Sequence, residues 1–131
     1  MKKYHFLYTS LVLVALLWVL NYVALSLHLY WTLWWLDNVA HFLGGFSLGF
    51  FALYIFHESG LFGDSLSFSR VIFLSFIFVM ILSGAWEIFE YVNGITQSTE
   101  KYSLDVVHDL LSDTLGVILA LLITKRFLKS S

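Results

Sequence analysis

Asp105-Val106-Val107-His108-Asp109-Leu110-Leu111-Ser112-Asp113-Thr114-Leu115-Gly116-Val117-Ile118-Leu119-Ala120-Leu121-Leu122-Ile123-Thr124 is the stretch that decides the fold of this chain. A bilayer core takes roughly 20 consecutive, mostly apolar residues to cross as one helix, and this stretch has that length. Its second half is almost purely apolar, whereas its first half carries Asp105, Asp109 and Asp113. At about 100° per residue, Asp105, His108, Asp109, Ser112, Asp113 and Gly116 fall within an arc of roughly 140°. A polar stripe on an otherwise apolar span must face other helices rather than lipid. The rest of the chain therefore has to supply those helices.

The composition allows for them. The 131 residues are 60% hydrophobic and 12% charged, with no proline and no cysteine, and the mean hydropathy is +0.84. Soluble chains average about 25% charged residues, so an ordinary water-soluble domain is excluded. Three further apolar stretches run from about Phe6 to Leu29, Asn38 to Phe56, and Arg70 to Val92. Backbone hydrogen bonds must close within each segment in lipid, which makes them helices. The expected fold is an all-α membrane protein, a four-transmembrane-helix bundle forming a single membrane domain over residues 1–131, with spans at about 6–29, 38–56, 70–92 and 105–124. Met1-Lys2-Lys3 ahead of an apolar run also fits a signal peptide cleaved near Ala24-Leu25-Ser26. The run exceeds the roughly 7–15 residues of a signal core, which favours a retained span.

Charge sets the orientation. Lys2, Lys3, Arg70, Lys125, Arg126 and Lys129 fall on one side, and only Lys101 falls on the other. Positive residues accumulate on the cytoplasmic side, so both termini are expected to be cytoplasmic in a multi-pass protein of the cell membrane. Tyr30, Trp31, Trp34, Trp35, Trp86, Tyr91 and Tyr102 then suit an aromatic belt at the outer interface. The cytoplasmic loop from His57 to Ser69 reads as a polar turn. A net charge of −2 offers no basic field for nucleic acid.

Of nine acidic residues, Glu58 and Asp64 belong to the cytoplasmic loop and Glu100 to the outer loop. Asp37, Glu87, Glu90, Asp105, Asp109 and Asp113 all sit at or inside the outer ends of spans two, three and four, together with His41 and His108. Asp37 and His41 lie roughly 40° apart, with Gly44 on the same stripe, where a neighbouring helix can come close. Glu87 and Glu90 lie about 60° apart, with Ser83 on their stripe. With a rise of about 1.5 Å per residue, His41, Glu87 and Asp109 share a depth, and Asp113 lies roughly 12 Å below Asp105. An unpaired aspartate near a span centre costs roughly 2.5–3.5 kcal/mol, and no lysine or arginine lies deep in any span to offset it. Either protons neutralise these groups, which then hydrogen-bond one another, or a bound cation does so.

Carboxylates and imidazoles on facing helices form metal sites inside bundles. Without cysteine, the candidate ion is a divalent metal held through nitrogen and oxygen: zinc, manganese, iron or magnesium. The expected ligands are His41, Glu87, Glu90, Asp109 and Asp113, with Asp37 and Asp105 joining them or serving as helix N-caps. His108, about 100° from Asp109, is either an outer partner of the ligands or the candidate proton carrier and catalytic residue. The bland alternatives are a satisfied core histidine at His41 and neutral acids at Glu87 and Glu90. His28 reads as interfacial, and Gly44, Gly45, Gly49 and Gly116 read as helix-packing positions.

The ordered set Asp37-Asn38-Val39-Ala40-His41-Phe42, Trp86-Glu87-Ile88-Phe89-Glu90-Tyr91 and Asp109-Leu110-Leu111-Ser112-Asp113-Thr114-Leu115-Gly116 resembles the VanZ-like membrane proteins and the related YjdF-type inner-membrane proteins. Asp37, His41, Glu87, Asp109, Thr114 and Gly116 match the VanZ-like pattern directly. Glu90 stands where that pattern usually has glutamine and Asp113 where it has asparagine, and the more acidic version is closer to the YjdF-type branch. The resemblance implies a small multi-span protein of the cell envelope and supplies no reaction.

The leading expectation is a cell-envelope membrane protein with an intramembrane cation site open to the extracytoplasmic leaflet, acting as a metal-dependent hydrolase or transferase on a lipid or lipid-linked envelope precursor. One rival is a proton- or cation-coupled transporter, since intramembrane acids also mark ion pathways. Against it, Ser10, Ser47, Ser75 and Thr124 are sparse for a continued pathway. The other rival is a non-catalytic protein that binds a lipid or a partner.

Overall fold

The computed structural model describes residues 4–63, 66–95 and 101–129, with side chains as far as residue 126. Met1, Lys2, Lys3, Asp64 and Glu100 lie outside the described residues, as does the side chain of Lys129. Helix α1 spans His5–Ser26, a short α2 spans Leu29–Thr32, α3 spans Leu36–Leu53, α4 spans Phe68–Asn93 and α5 spans Tyr102–Lys129. Among the described residues, four helices are long and apolar enough to cross a membrane, α3 counting with the turn that extends it to Glu58. The all-α architecture with four membrane-length helices follows the sequence reading.

The helix ends depart from expectation in ways that shape the molecule. Span one stops at Ser26 rather than near Leu29, because His28 adopts a left-handed conformation (φ 55°) that turns the chain into α2. Such a backbone costs a non-glycine residue roughly 1–2 kcal/mol. The turn carries Tyr30 inward, where its hydroxyl donates to Asn21 Oδ1 at 2.7 Å. Tyr30 is thus buried with Ala24 and Leu36 instead of joining the aromatic belt. Helix α3 begins at Leu36 and α5 at Tyr102, which puts Asp37 and Asp105 in first helical turns rather than at N-caps. There the carboxylates still face the positive end of the helix dipole.

At the other end, α3 does not stop at Leu53 but widens into a π-helical turn, Tyr54–Glu58, closed by the Ser59 N–H on the Tyr54 carbonyl at 2.8 Å. His57 and Glu58 therefore belong to the helix and not to a loop. Glu58 Oε2 accepts the Phe6 N–H at 2.9 Å, satisfying one of the free donors at the start of α1. That contact fixes α1 antiparallel to α3. Helix α4 ends in a Schellman motif: left-handed Gly94 (φ 63°) sends its N–H to Tyr91 and the Ile95 N–H to the Glu90 carbonyl at 3.0 Å. The last turn of α4, which carries Glu90, is thereby locked, with Glu87 in the turn before it.

Helix α3 is central. It packs on α1, α4 and α5, whereas α1 joins the others through α3. Helices α3 and α5 run parallel and touch backbone to backbone. A Cβ on Gly45 would run into the Asp113 carbonyl, and one on Gly116 into the Phe42 carbonyl. Gly49 repeats the approach one turn on, where its Cβ would lie 2.8 Å from that of Ala120. Small residues at such a seam are how helices associate in lipid, where no hydrophobic force draws them together. Gly44, by contrast, has ordinary contacts. Beyond the seam, Phe6, Phe50, Leu53, Val71, Val79, Val117 and Leu121 fill the opposite half of the bundle.

Candidate functional site

Just past the glycine seam, α3, α4 and α5 converge on a polar pocket. The α3–α5 contact fixes its floor, because the Asp113 backbone is the surface against which Gly45 packs. One turn along α3 from Gly45, His41 points between the two helices. Its Nδ1 lies 3.3 Å from Asp113 Oδ2, and its Nε2 lies 3.5 Å from Asp109 Oδ2 and 3.9 Å from Asp37 Oδ1. A carboxylate beside Nδ1 favours the tautomer in which that nitrogen carries the proton and donates. The Nε2 lone pair is then turned toward Asp109 and Asp37.

Asp109 is the centre of the pocket. It is 1% exposed, and neither of its side-chain oxygens accepts a hydrogen bond. Glu87, 5% exposed, likewise keeps Oε1 without a hydrogen-bond partner. Among the described residues no lysine or arginine stands within ion-pair distance of these acids; His41 stands within that distance of Asp109. Two sets of donor atoms fall within 4.8 Å of one another: one from His41, Glu87, Glu90 and Asp109, the other from Asp37, Asp105 and Asp109. The first set offers carboxylate oxygens and an imidazole, the second carboxylate oxygens alone, and both kinds of ligand suit a divalent cation such as zinc, manganese, iron or magnesium.

The three helical stripes read from the sequence thus meet. His41, Glu87, Glu90, Asp109, Asp37 and Asp105 all contribute to one set or the other. Asp113 belongs to neither, and its place is against Nδ1 of His41, the position of a carboxylate that orients a metal-binding imidazole. His108 is exposed on α5, beside buried Asp109 in sequence but outside both sets. Ser83 is buried on the Glu87 face of α4, one turn below.

Two groups at the site were not singled out from the sequence. Tyr30 lies near enough to Asp37 and Glu90 to feel their charge, and Asn21 of α1 accepts its hydrogen bond. Burial and the negative field of Asp37 and Glu90 push the Tyr30 phenol up to about 12, so it stays protonated and keeps donating to Asn21. An asparagine inside an otherwise apolar span was the available signal. Around the same end, Trp31, Trp34, Trp35, Trp86, Tyr91 and Tyr102 are exposed, as an interfacial belt requires. The Tyr91 and Tyr102 rings, with centroids 5.1 Å apart, tie α4 to α5, and the Tyr102 hydroxyl donates to the Glu87 carbonyl at 3.4 Å.

The family model described as "Predicted membrane protein (DUF2238)" matches residues 1–130, and the chain belongs to that family. No curated protein and no solved structure matches it.

Proposed function

On the premise of a multi-span member of that family, we propose that the pocket binds a divalent cation at the extracytoplasmic end of the bundle. One observation carries this reading: the Asp109 carboxylate, enclosed by three helices, has both oxygens free of hydrogen bonds. A buried carboxylate so placed is costly unless a proton or a cation compensates it. A neutral acid network offers its members hydrogen bonds to each other, and Asp109 makes none. The donor set supports the cation.

His41, Glu87, Glu90 and Asp109 would hold the ion, Asp113 would keep the imidazole in its ligating tautomer, and Tyr30 would limit water entry beside α1. A divalent ion in such a site lowers the pKa of a bound water and polarises ester or phosphoryl oxygens. His108, exposed beside the site, is placed to exchange protons with the interface. The belt of tryptophans supports chemistry at the headgroup level, with a lipid or a lipid-linked envelope precursor as the substrate class. The VanZ-like and YjdF-type pattern supports the same cell-envelope setting. Transport is the weaker reading. Beneath the pocket the Gly45–Asp113 and Gly116–Phe42 contacts close the α3–α5 seam, and Phe50, Val117 and Leu121 pack beyond it.

Elemental analysis of protein purified in mild detergent, before and after a chelator wash, tests the site. The expected result is bound divalent metal whose removal lowers the melting temperature. Saturation at a hundred times Kd stabilises a fold by about 2.7 kcal/mol. Negligible metal, together with a melting temperature indifferent to chelator and added ions, would leave a protonated network in its place.

A further inference from the structure

The two sets of donor atoms share one residue, Asp109, and otherwise come from different groups. The first draws His41 from α3 and Glu87 and Glu90 from α4, whereas the second draws Asp37 from α3 and Asp105 from α5. We propose that the pocket holds two divalent cations bridged by Asp109, one among His41, Glu87 and Glu90, the other between Asp37 and Asp105. This rests on the cation-binding reading above and deepens it from one ion to a pair.

Three observations support the pair. Both Asp109 oxygens are buried and accept no hydrogen bond, so each is available to a different ion, which is the demand a bridging carboxylate meets. The second set lies toward the N-terminal ends of α3 and α5, since Asp37 and Asp105 are in the first turns of those helices. Those two positions also face the N-terminal ends of both helices, where partial positive charge holds the carboxylates in place when no ion is bound. Finally, Asp37, Glu87, Glu90, Asp105, Asp109 and Asp113 together carry far more negative charge than one dication can balance, and no lysine or arginine among the described residues pairs with them. A second dication halves the remainder.

Manganese(II) is a suitable probe because its paramagnetism reports both occupancy and the proximity of a second ion. Metal-free, full-length protein in detergent is titrated with Mn²⁺ while free Mn²⁺ is followed by electron paramagnetic resonance. The proposal expects two ions per chain at saturation and an exchange-coupled spectrum when both are bound. Asp105→Asn should reduce the stoichiometry to one and abolish the coupling, with the remaining ion's affinity changed by less than about 10-fold. Asp37→Asn, which alters a half-buried group, should do the same and guards against a folding failure of the first variant. Asp109→Asn should weaken both ions by about 10-fold or more. A wild-type protein that saturates at one Mn²⁺, or two uncoupled ions that both survive Asp105→Asn and Asp37→Asn, overturns the bridged pair and leaves the single site standing. No bound Mn²⁺ at all overturns both readings.

Discussion

Gly45 lies against the main chain of Asp113, so close that a single methyl group on Gly45 would run into the Asp113 carbonyl. The residue that packs the floor of the pocket and the residue that aligns His41 are therefore one and the same. The reciprocal contact, Gly116 against the Phe42 carbonyl, places the neighbour of His41 in the same seam. Helix packing and site geometry cannot be altered separately here.

Gly45→Ala and Gly116→Ala should each separate α3 from α5. Overpacked interiors lose roughly 1–3 kcal/mol, and a clash with backbone rather than with a movable side chain belongs at the upper end. If the site holds a metal as proposed, both variants should also lose it, although neither replaces a residue of the donor sets. Gly84→Ala is the control. Its Cβ would meet nothing within 4 Å, so stability should be unchanged or raised by up to about 1 kcal/mol through helix propensity. Thermal unfolding in detergent and metal content, read together, check all three.

The fold and the site were legible to the extent that lipid constrains sequence. A membrane helix can afford polar residues only where helices meet, so Asp37 with His41, Glu87 with Glu90, and Asp109 with Asp113 marked three contact faces and their common depth. The finer details depended on geometry that composition does not encode. Gly44 and Gly45 are adjacent, and only the crossing of α3 over α5 selects Gly45 as the contact. Asp37 and Asp105 resembled N-caps because helices were expected to begin at polar residues, yet Leu36 and Tyr102 already lie in the helices. Tyr30 was indistinguishable from the belt tryptophans until the left-handed turn at His28 pointed it inward. Glu58 had no signal at all, since its capping of Phe6 depends on a π-helical turn.

Orientation is open to a direct experiment, because the chain has no cysteine. Trp34 and Leu61 are exposed at opposite ends of the bundle. Trp34→Cys should react with a membrane-impermeant thiol reagent added to intact cells, and Leu61→Cys should react only after lysis. The reverse pattern would move the pocket to the cytoplasmic side and remove the envelope substrate from the functional reading.

Tyr30 predicts an alkaline weakness. In the unfolded chain its phenol releases its proton near the ordinary value of 10.0, whereas in the folded chain it holds on until about 12. Between these values the unfolded state binds fewer protons, so stability falls as pH rises through that window and is fully present below it. Tyr30→Phe should lose about 1 kcal/mol at neutral pH, because Asn21 Oδ1 is left without its donor. The same variant should lose less additional stability than wild type between pH 10 and 12. Equal alkaline losses in the two proteins would show that Tyr30 is not the group responsible.

Asp113 and His41 give the sharpest division of roles. If Asp113 acts through the imidazole, Asp113→Asn leaves every ligand in place and disturbs only the tautomer and orientation of His41. Such outer partners are worth roughly 10–100-fold in metal affinity. His41→Ala removes a ligand and should cost at least as much. The double variant then separates indirect action from direct ligation. Once the imidazole is gone, Asp113 has nothing to orient, so adding Asp113→Asn to His41→Ala should change the affinity little further, a strong departure from additivity. Were Asp113 itself a ligand beside His41, its loss would weaken binding in either background. Mn²⁺ affinities of the wild type, both single variants and the double variant decide between the two, with melting temperatures of the metal-free proteins as a check that each one folds.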